Sequence, residues 1–136
     1  MTMVDLRKIN LLSDTILYRE AKEFAKEFVQ KRIMPDSRQL TGLATFSRDW
    51  NELLTYVKHQ AARDWGKRDY YQRFYDDLRK YLHDPKTGLR QRIKTEFALI
   101  AEGLTKREET AALDTWAQAL AQEFIQHLVA EARFHQ

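Results

Sequence analysis

The chain has 136 residues, 43% hydrophobic and 32% charged, with a net charge of +3 and no cysteine. That length fits a single domain, 1–136, able to bury its own core, and the absence of thiols excludes a disulfide framework and a thiolate metal site. With no apolar leader segment and no run of about 18 apolar residues, the chain reads as soluble, unexported and cytoplasmic, with no membrane partner.

Four Gly and two Pro fall between segments of helical period rather than inside them. The expected fold is therefore all-α: a single compact bundle of about five helices. The first helix is expected from about Asp14 to Ile33, with Ser13 or Asp14 as N-cap, an apolar stripe of Leu17, Ala21, Phe24, Ala25 and Phe28, and Met34-Pro35 as its end. A polar link through Gly42 follows. Ser47 can then cap a second helix, with Trp50, Leu53, Leu54, Val57 and Ala61 on one face, stopping near Gly66. The third, about Asp69 to Leu82, places Tyr71, Phe74, Tyr75, Leu78 and Leu82 on its apolar side.

His83 to Gly88 reads as a turn, and a fourth helix runs from about Leu89 to Ala101 with Gly103 at its left-handed C-terminal position. Thr105-Lys106-Arg107-Glu108 has the form of a capping box, opening a last helix that continues to about Arg133. Its apolar surface, which includes Leu113, Trp116, Leu120, Phe124 and Leu128, is wider than one stripe. Such a helix is either the centre of a bundle or has a face left for a partner.

Positive charge is concentrated in the middle of the chain. From Lys58 to Lys94 there are eleven Lys and Arg against five Asp, whereas the preceding segment holds nine against eight and the following one three against seven. Trp65, Tyr70, Tyr71, Phe74, Tyr75 and Tyr81 are interleaved with that block, the pattern of a surface that tracks a polyanion. The candidate nucleic-acid-binding residues are Lys58, Arg63, Lys67, Arg68, Arg73, Arg79, Lys80, Lys86, Arg90 and Lys94. Within the set, Lys86, Arg90 and Lys94 are four apart, which on a helix makes an exposed row of cations spaced about 6 Å along the axis, with no acid between them to neutralise it. Arg92, off that face, can pair with Glu96. Tyr71, Phe74 and Tyr75 read as core, while Tyr70 and Tyr81 lie nearer the boundary and can stack on bases.

Catalytic patterns are weak. His59, His83, His127 and His135 form no HExxH, the pairs Asp76-Asp77 and Glu108-Glu109 point to different helix faces, and no Gly-rich phosphate loop occurs. No catalytic residue, metal or cofactor is expected. Arg79 and His83 resemble the Arg and His of helical ribonucleases of the HEPN class, although only three residues separate them here, a shorter spacer than that class uses.

The run Gln72-Arg73-Phe74-Tyr75-Asp76-Asp77-Leu78-Arg79 resembles a segment of the small helical subunits of multisubunit (class 1) CRISPR-Cas effector complexes. The tail Leu128 to His135 is similar to the closing segment of those subunits, with Phe134 where they carry Tyr and Gln136 where they carry Lys. The resemblance implies a helical bundle without an active site. Such a subunit stacks with copies of itself and other subunits and lays a basic surface, including Arg73 and Arg79, on single-stranded DNA or RNA or on the backbone of a guide–target duplex. The expected function is a non-enzymatic nucleic-acid-binding small subunit of a ribonucleoprotein complex. The alternatives are a helical adaptor whose basic face meets an acidic protein and, behind it, a HEPN-like ribonuclease.

Overall fold

A computed structural model describes residues 1–135, and every regular element among them is helical. Gln136, the last position of the tail resemblance, lies outside the described residues. The first rod starts earlier than expected. Helix α1 (Met3–Leu12) passes without a break through a π-helical turn (Ser13–Leu17) into α2 (Tyr18–Gln30). Thr2 supplies the cap: its hydroxyl accepts from the Asp5 amide at 3.1 Å and the Asp5 carboxylate accepts from the Thr2 amide at 3.0 Å. Ser13 is not a cap, because its buried hydroxyl is held by His127 Nε2 at 2.8 Å.

The π turn has a packing reason. Ile9, Ser13, Leu17, Ala21 and Ala25 are all buried and each is four residues from the next. In a regular α-helix residues four apart drift by about 40° per step, so this row would wind off the core face. One wide turn absorbs the excess and keeps α1 and α2 facing inward together.

Helix α2 stops before Met34-Pro35. Arg32 takes a left-handed conformation (φ 56°) and the Ile33 amide reaches back to the Phe28 carbonyl at 2.9 Å, a Schellman-type closure. The expected polar link is itself a helix, α3 (Ser37–Phe46), capped by Asp36, whose carboxylate accepts from the Gln39 amide at 3.0 Å. Gly42 is there for close approach rather than for a turn, since a Cβ would lie 2.7 Å from Tyr56 Oη on the next helix. That helix, α4 (Trp50–Ala62), is capped by Asp49 rather than Ser47, whose buried hydroxyl donates to the Ala44 carbonyl at 2.7 Å.

A 3₁₀ turn (Gly66–Arg68) leads into α5 (Tyr70–His83), close to its expected bounds. Helix α6 (Leu89–Thr95) is shorter than expected, and the left-handed residue closing it is Ala98 (φ 51°), not Gly103, which bends the later loop at φ 79°. The capping box at Thr105 is present, with bonds of 3.2 and 3.0 Å to Glu108, and opens α7 (Lys106–Phe134).

Of the two readings left open for that helix, the central one holds. Helix α7 packs against α2, α6, α3, α4 and the π turn, and buries Trp116, Ala117, Leu120, Ala121, Phe124, Ile125, Leu128, Val129 and Ala132. Gln118 fastens the α3–α4 corner to it, accepting from the Trp50 amide while donating to the Ser47 carbonyl at 3.1 Å. The buried hydrophobic side chains among the described residues, Tyr71 apart, form one contiguous cluster. The rod count is thus six, the extra one being α3. Helix α1 is the exception to this packing: Ile9 is its single buried residue, while Met3, Val4, Leu6 and Leu11 are exposed.

Candidate nucleic-acid interface

The structure divides the ten predicted cations into those with acidic partners and those without. Arg73 donates to Glu27 at 2.6 Å and approaches Asp77 at 3.9 Å, Arg79 donates to Asp76 at 2.8 Å, and Lys80 meets the same Asp76 at 3.3 Å. Arg90 pairs with Asp114 at 3.1 Å and Lys94 with Glu109, both on α7. No such partner stands near Lys58, Arg63, Lys67, Arg68 or Lys86 among the described residues.

The expected row of Lys86, Arg90 and Lys94 does not form on one helix. Lys86 precedes α6, in a turn fastened by Asp84, whose carboxylate accepts at 3.0 Å from the Thr87 and Lys86 amides and the Thr87 hydroxyl. Those bonds, the Thr87 amide first, hold the Asp84 carboxyl below its ordinary value. Arg90 is largely covered, with a side chain 22% exposed, so two of the three cations serve the α6–α7 contact.

Arg92 does pair with Glu96, as expected, but its larger role is inward. Its guanidinium meets the Glu20 carboxylate with two bonds, 2.9 and 2.8 Å, and Tyr81 donates to the same carboxylate at 2.7 Å. Burial pushes the Glu20 carboxyl up, but the hydrogen bonds from Arg92 and Tyr81 outweigh it and hold the group below its ordinary value. This bidentate pair ties α6 to α2. Tyr81 is therefore not available for stacking on a base: its ring lies against Phe124 at 3.9 Å between centroids and its hydroxyl is taken. Tyr70 stays at the surface boundary, edge-on to Tyr71 at 4.7 Å.

Three of those five unpartnered cations, Arg63, Lys67 and Arg68, gather at the α4–α5 junction. Gly66, at φ 59°, lets the chain turn there, and Asp64 accepts from its amide at 2.9 Å. Arg63 lies over the Trp65 ring at 4.4 Å and Arg68 over Tyr71 at 5.7 Å, with exposed Lys67 between them in sequence. The Trp65 indole is fixed in turn by its N–H to the Gln60 carbonyl at 2.9 Å and by near-parallel stacking with Tyr75. Asp64 and Asp69 share the junction, so its charge excess is modest. Its distinction is that two guanidiniums lie over aromatic rings within cation–π range with no carboxylate bound to them.

Arg79 and His83 line one groove with Lys58. Two of the other three histidines are occupied elsewhere, His127 by Ser13 and His135 by Glu131 at 3.2 Å. Among the described residues no three His, Cys, Asp or Glu side chains group as a metal site would require. No helix among the described residues is long and apolar enough to cross a membrane.

Sequence reasoning missed the partners more than the cations. Glu109 and Asp114 lie outside the basic block, on a helix whose approach to α6 no local pattern announces. Compared with protein families, curated proteins and solved structures, the chain matches none.

Proposed function

We propose that the chain is a non-enzymatic nucleic-acid-binding subunit of a ribonucleoprotein complex, and that Arg63, Lys67 and Arg68 at the α4–α5 junction are its principal contacts with a strand backbone. The observation that carries the reading is the separation just described, with the guanidiniums of Arg63 and Arg68 placed over aromatic rings and free of carboxylates. A guanidinium placed in this way presents a planar fork of donors to phosphate with less side-chain entropy to lose on binding. In its specific form the reading is the small subunit of a multisubunit CRISPR-Cas effector complex, beside guide-paired target or displaced strand. The size, the all-helical fold, the basic middle and the two resembling segments support it. Much of the first segment has a structural use of its own, since Phe74, Tyr75 and Leu78 are core.

The test is a salt titration of single-stranded DNA and RNA binding. Neutralising about four phosphates of a single strand gives a log–log slope near −3, with little sequence preference. The triple variant Arg63→Glu, Lys67→Glu, Arg68→Glu abolishes binding and leaves the helical circular dichroism unchanged. Binding by that variant equal to the parent, both in isolation and in any complex that co-purifies with the chain, removes nucleic acid from the reading and leaves an acidic protein as the partner of the basic face.

A further inference from the structure

Between α4 and α5, apart from Arg63 and Arg68, lies a groove of about 380 Å³ lined by Asn51, Leu54, Thr55, Lys58, Arg79 and His83. Its volume is in the range of small-ligand sites. Asn51, Leu54, Thr55 and Lys58 stand at helical spacing on one face of α4, and Arg79 and His83 four apart on one face of α5, so the groove is bounded by two ridges carrying donors. No carboxylate is among its lining residues. The groove beside Lys22 and Lys26 differs in that Glu23 and Glu131 line it as well, and the one beside Lys80 carries Glu23, Glu27 and Asp77.

Two of the donors, Arg79 and His83, are restrained by their neighbours. Asp76 takes one bond from Arg79 Nη2 at 2.8 Å, which orients the guanidinium and leaves most of its five N–H groups unused. The His83 ring packs edge-on against Trp50 with centroids 6.0 Å apart. Half-buried Leu54 supplies an apolar wall, and Asn51 and Thr55 add an amide and a hydroxyl.

We propose that this groove binds the phosphate monoester of a nucleotide and, resting on the nucleic-acid reading above, that it seats the phosphorylated end of a strand. A monoester carries close to two negative charges and three terminal oxygens, matching the oriented Arg79 guanidinium, the Lys58 ammonium and an imidazole that line one small volume. A diester in mid-strand has a single charge and only two non-bridging oxygens, a poorer match to these donors.

The experiment uses the full chain. Labelled short single strands with a terminal phosphate are compared by fluorescence anisotropy with the same strands ending in hydroxyl, and AMP is compared with adenosine by NMR titration. A terminal phosphate tightens binding about tenfold, and AMP but not adenosine shifts the resonances of Lys58, Arg79 and His83. Arg79→Ala reduces the preference of phosphate over hydroxyl ends to less than about twofold, and Arg79→Lys restores part of it, with circular dichroism verifying the fold of both. A preference for phosphorylated strands assigns the groove to strand ends. AMP binding without that preference assigns it to a free nucleotide and withdraws the strand-end part. If hydroxyl-ended and phosphorylated strands bind equally and AMP does not bind, the groove proposal is overturned while strand binding at the junction stands. If AMP binds and no strand does, the groove stands and the nucleic-acid reading falls.

Discussion

Ala98 occupies the left-handed region at φ 51°, closing α6 through the Leu99 amide to the Ile93 carbonyl at 2.9 Å. A Cβ in that region costs about 1–2 kcal/mol, while Gly loses about 0.5–1 kcal/mol more entropy than Ala on folding. Ala98→Gly is therefore expected to stabilise the protein by roughly 0.5–1 kcal/mol, read as a rise in urea midpoint with an unchanged slope. A fall in midpoint would show that the loop is not strained there. The converse holds at Gly66 and Gly103, where φ is also positive and a Cβ would meet open space, so substitution by Ala costs backbone strain alone. Buried charge gives a second residue-scale outcome. Because the Glu20 carboxyl is held below its ordinary 4.5 in the folded chain, its contribution is complete above that pH and is lost as pH falls through the depressed folded value. Glu20→Gln should lower stability at neutral pH and flatten the acid limb of the stability curve between those two values, as measured by thermal melts from neutral to acid pH. An acid limb identical to the parent's would show that the Arg92 pair contributes nothing to the pH dependence.

Charge reversal at the α6–α7 contact separates a structural role from a binding one. Arg90→Glu faces Asp114 and Lys94→Glu faces Glu109, so each replaces an attraction with a repulsion. For such half-exposed pairs the loss is expected to be about 1 kcal/mol each, and Asp114→Lys should recover part of it in the Arg90→Glu background, by a double-mutant cycle in urea. No recovery would leave the two cations free for another partner. The same contact explains what was legible in the sequence. Local signals were readable: the box at Thr105 closes within four residues, and α5 shows an uninterrupted apolar spacing. Ser13 and Ser47 looked like caps because a hydroxyl before an apolar run is the same signal whether it caps or not, and here tertiary and local carbonyl bonds claim both hydroxyls. Helix α3 was hidden because Gly42 marks close approach to Tyr56 as readily as it marks a linker. The partners of Arg90 and Lys94 were illegible in principle, since they depend on which helix α6 meets. Arg63, Lys67 and Arg68 were legible only as members of the basic block, and their placement over Trp65 and Tyr71 was not foreseen, although those rings are near neighbours in the chain.

At the scale of the whole molecule, α7 is the element through which the other helices cohere, and this sets how the protein should unfold. Its Phe124 is fully buried, stacked on Tyr81 at 3.9 Å and edge-on to Phe24 at 6.1 Å, so Phe124→Ala removes packing from three helices at once. A loss of about 3–5 kcal/mol is expected, a large share of the stability of a domain this size. Helix α1 stands at the other extreme. It gives the core buried Ile9 and partly buried Leu12, and its capping box at Thr2 rather than its packing defines where it begins. A helix of ten residues held by so little contact is marginal on its own, so its amides should open below the global unfolding free energy. Native-state hydrogen exchange should then show α1 exchanging first, with the amides of α7 from Trp116 to Leu128 exchanging only through global unfolding. Leu11→Ala, at an exposed position, should change the urea midpoint little, and Ile9→Ala should cost more than any other single substitution in α1. Protection in α1 equal to that in α7 would mean that its exposed Met3, Val4, Leu6 and Leu11 are covered in solution, and the oligomeric state measured on the same sample would then show whether a second copy covers them.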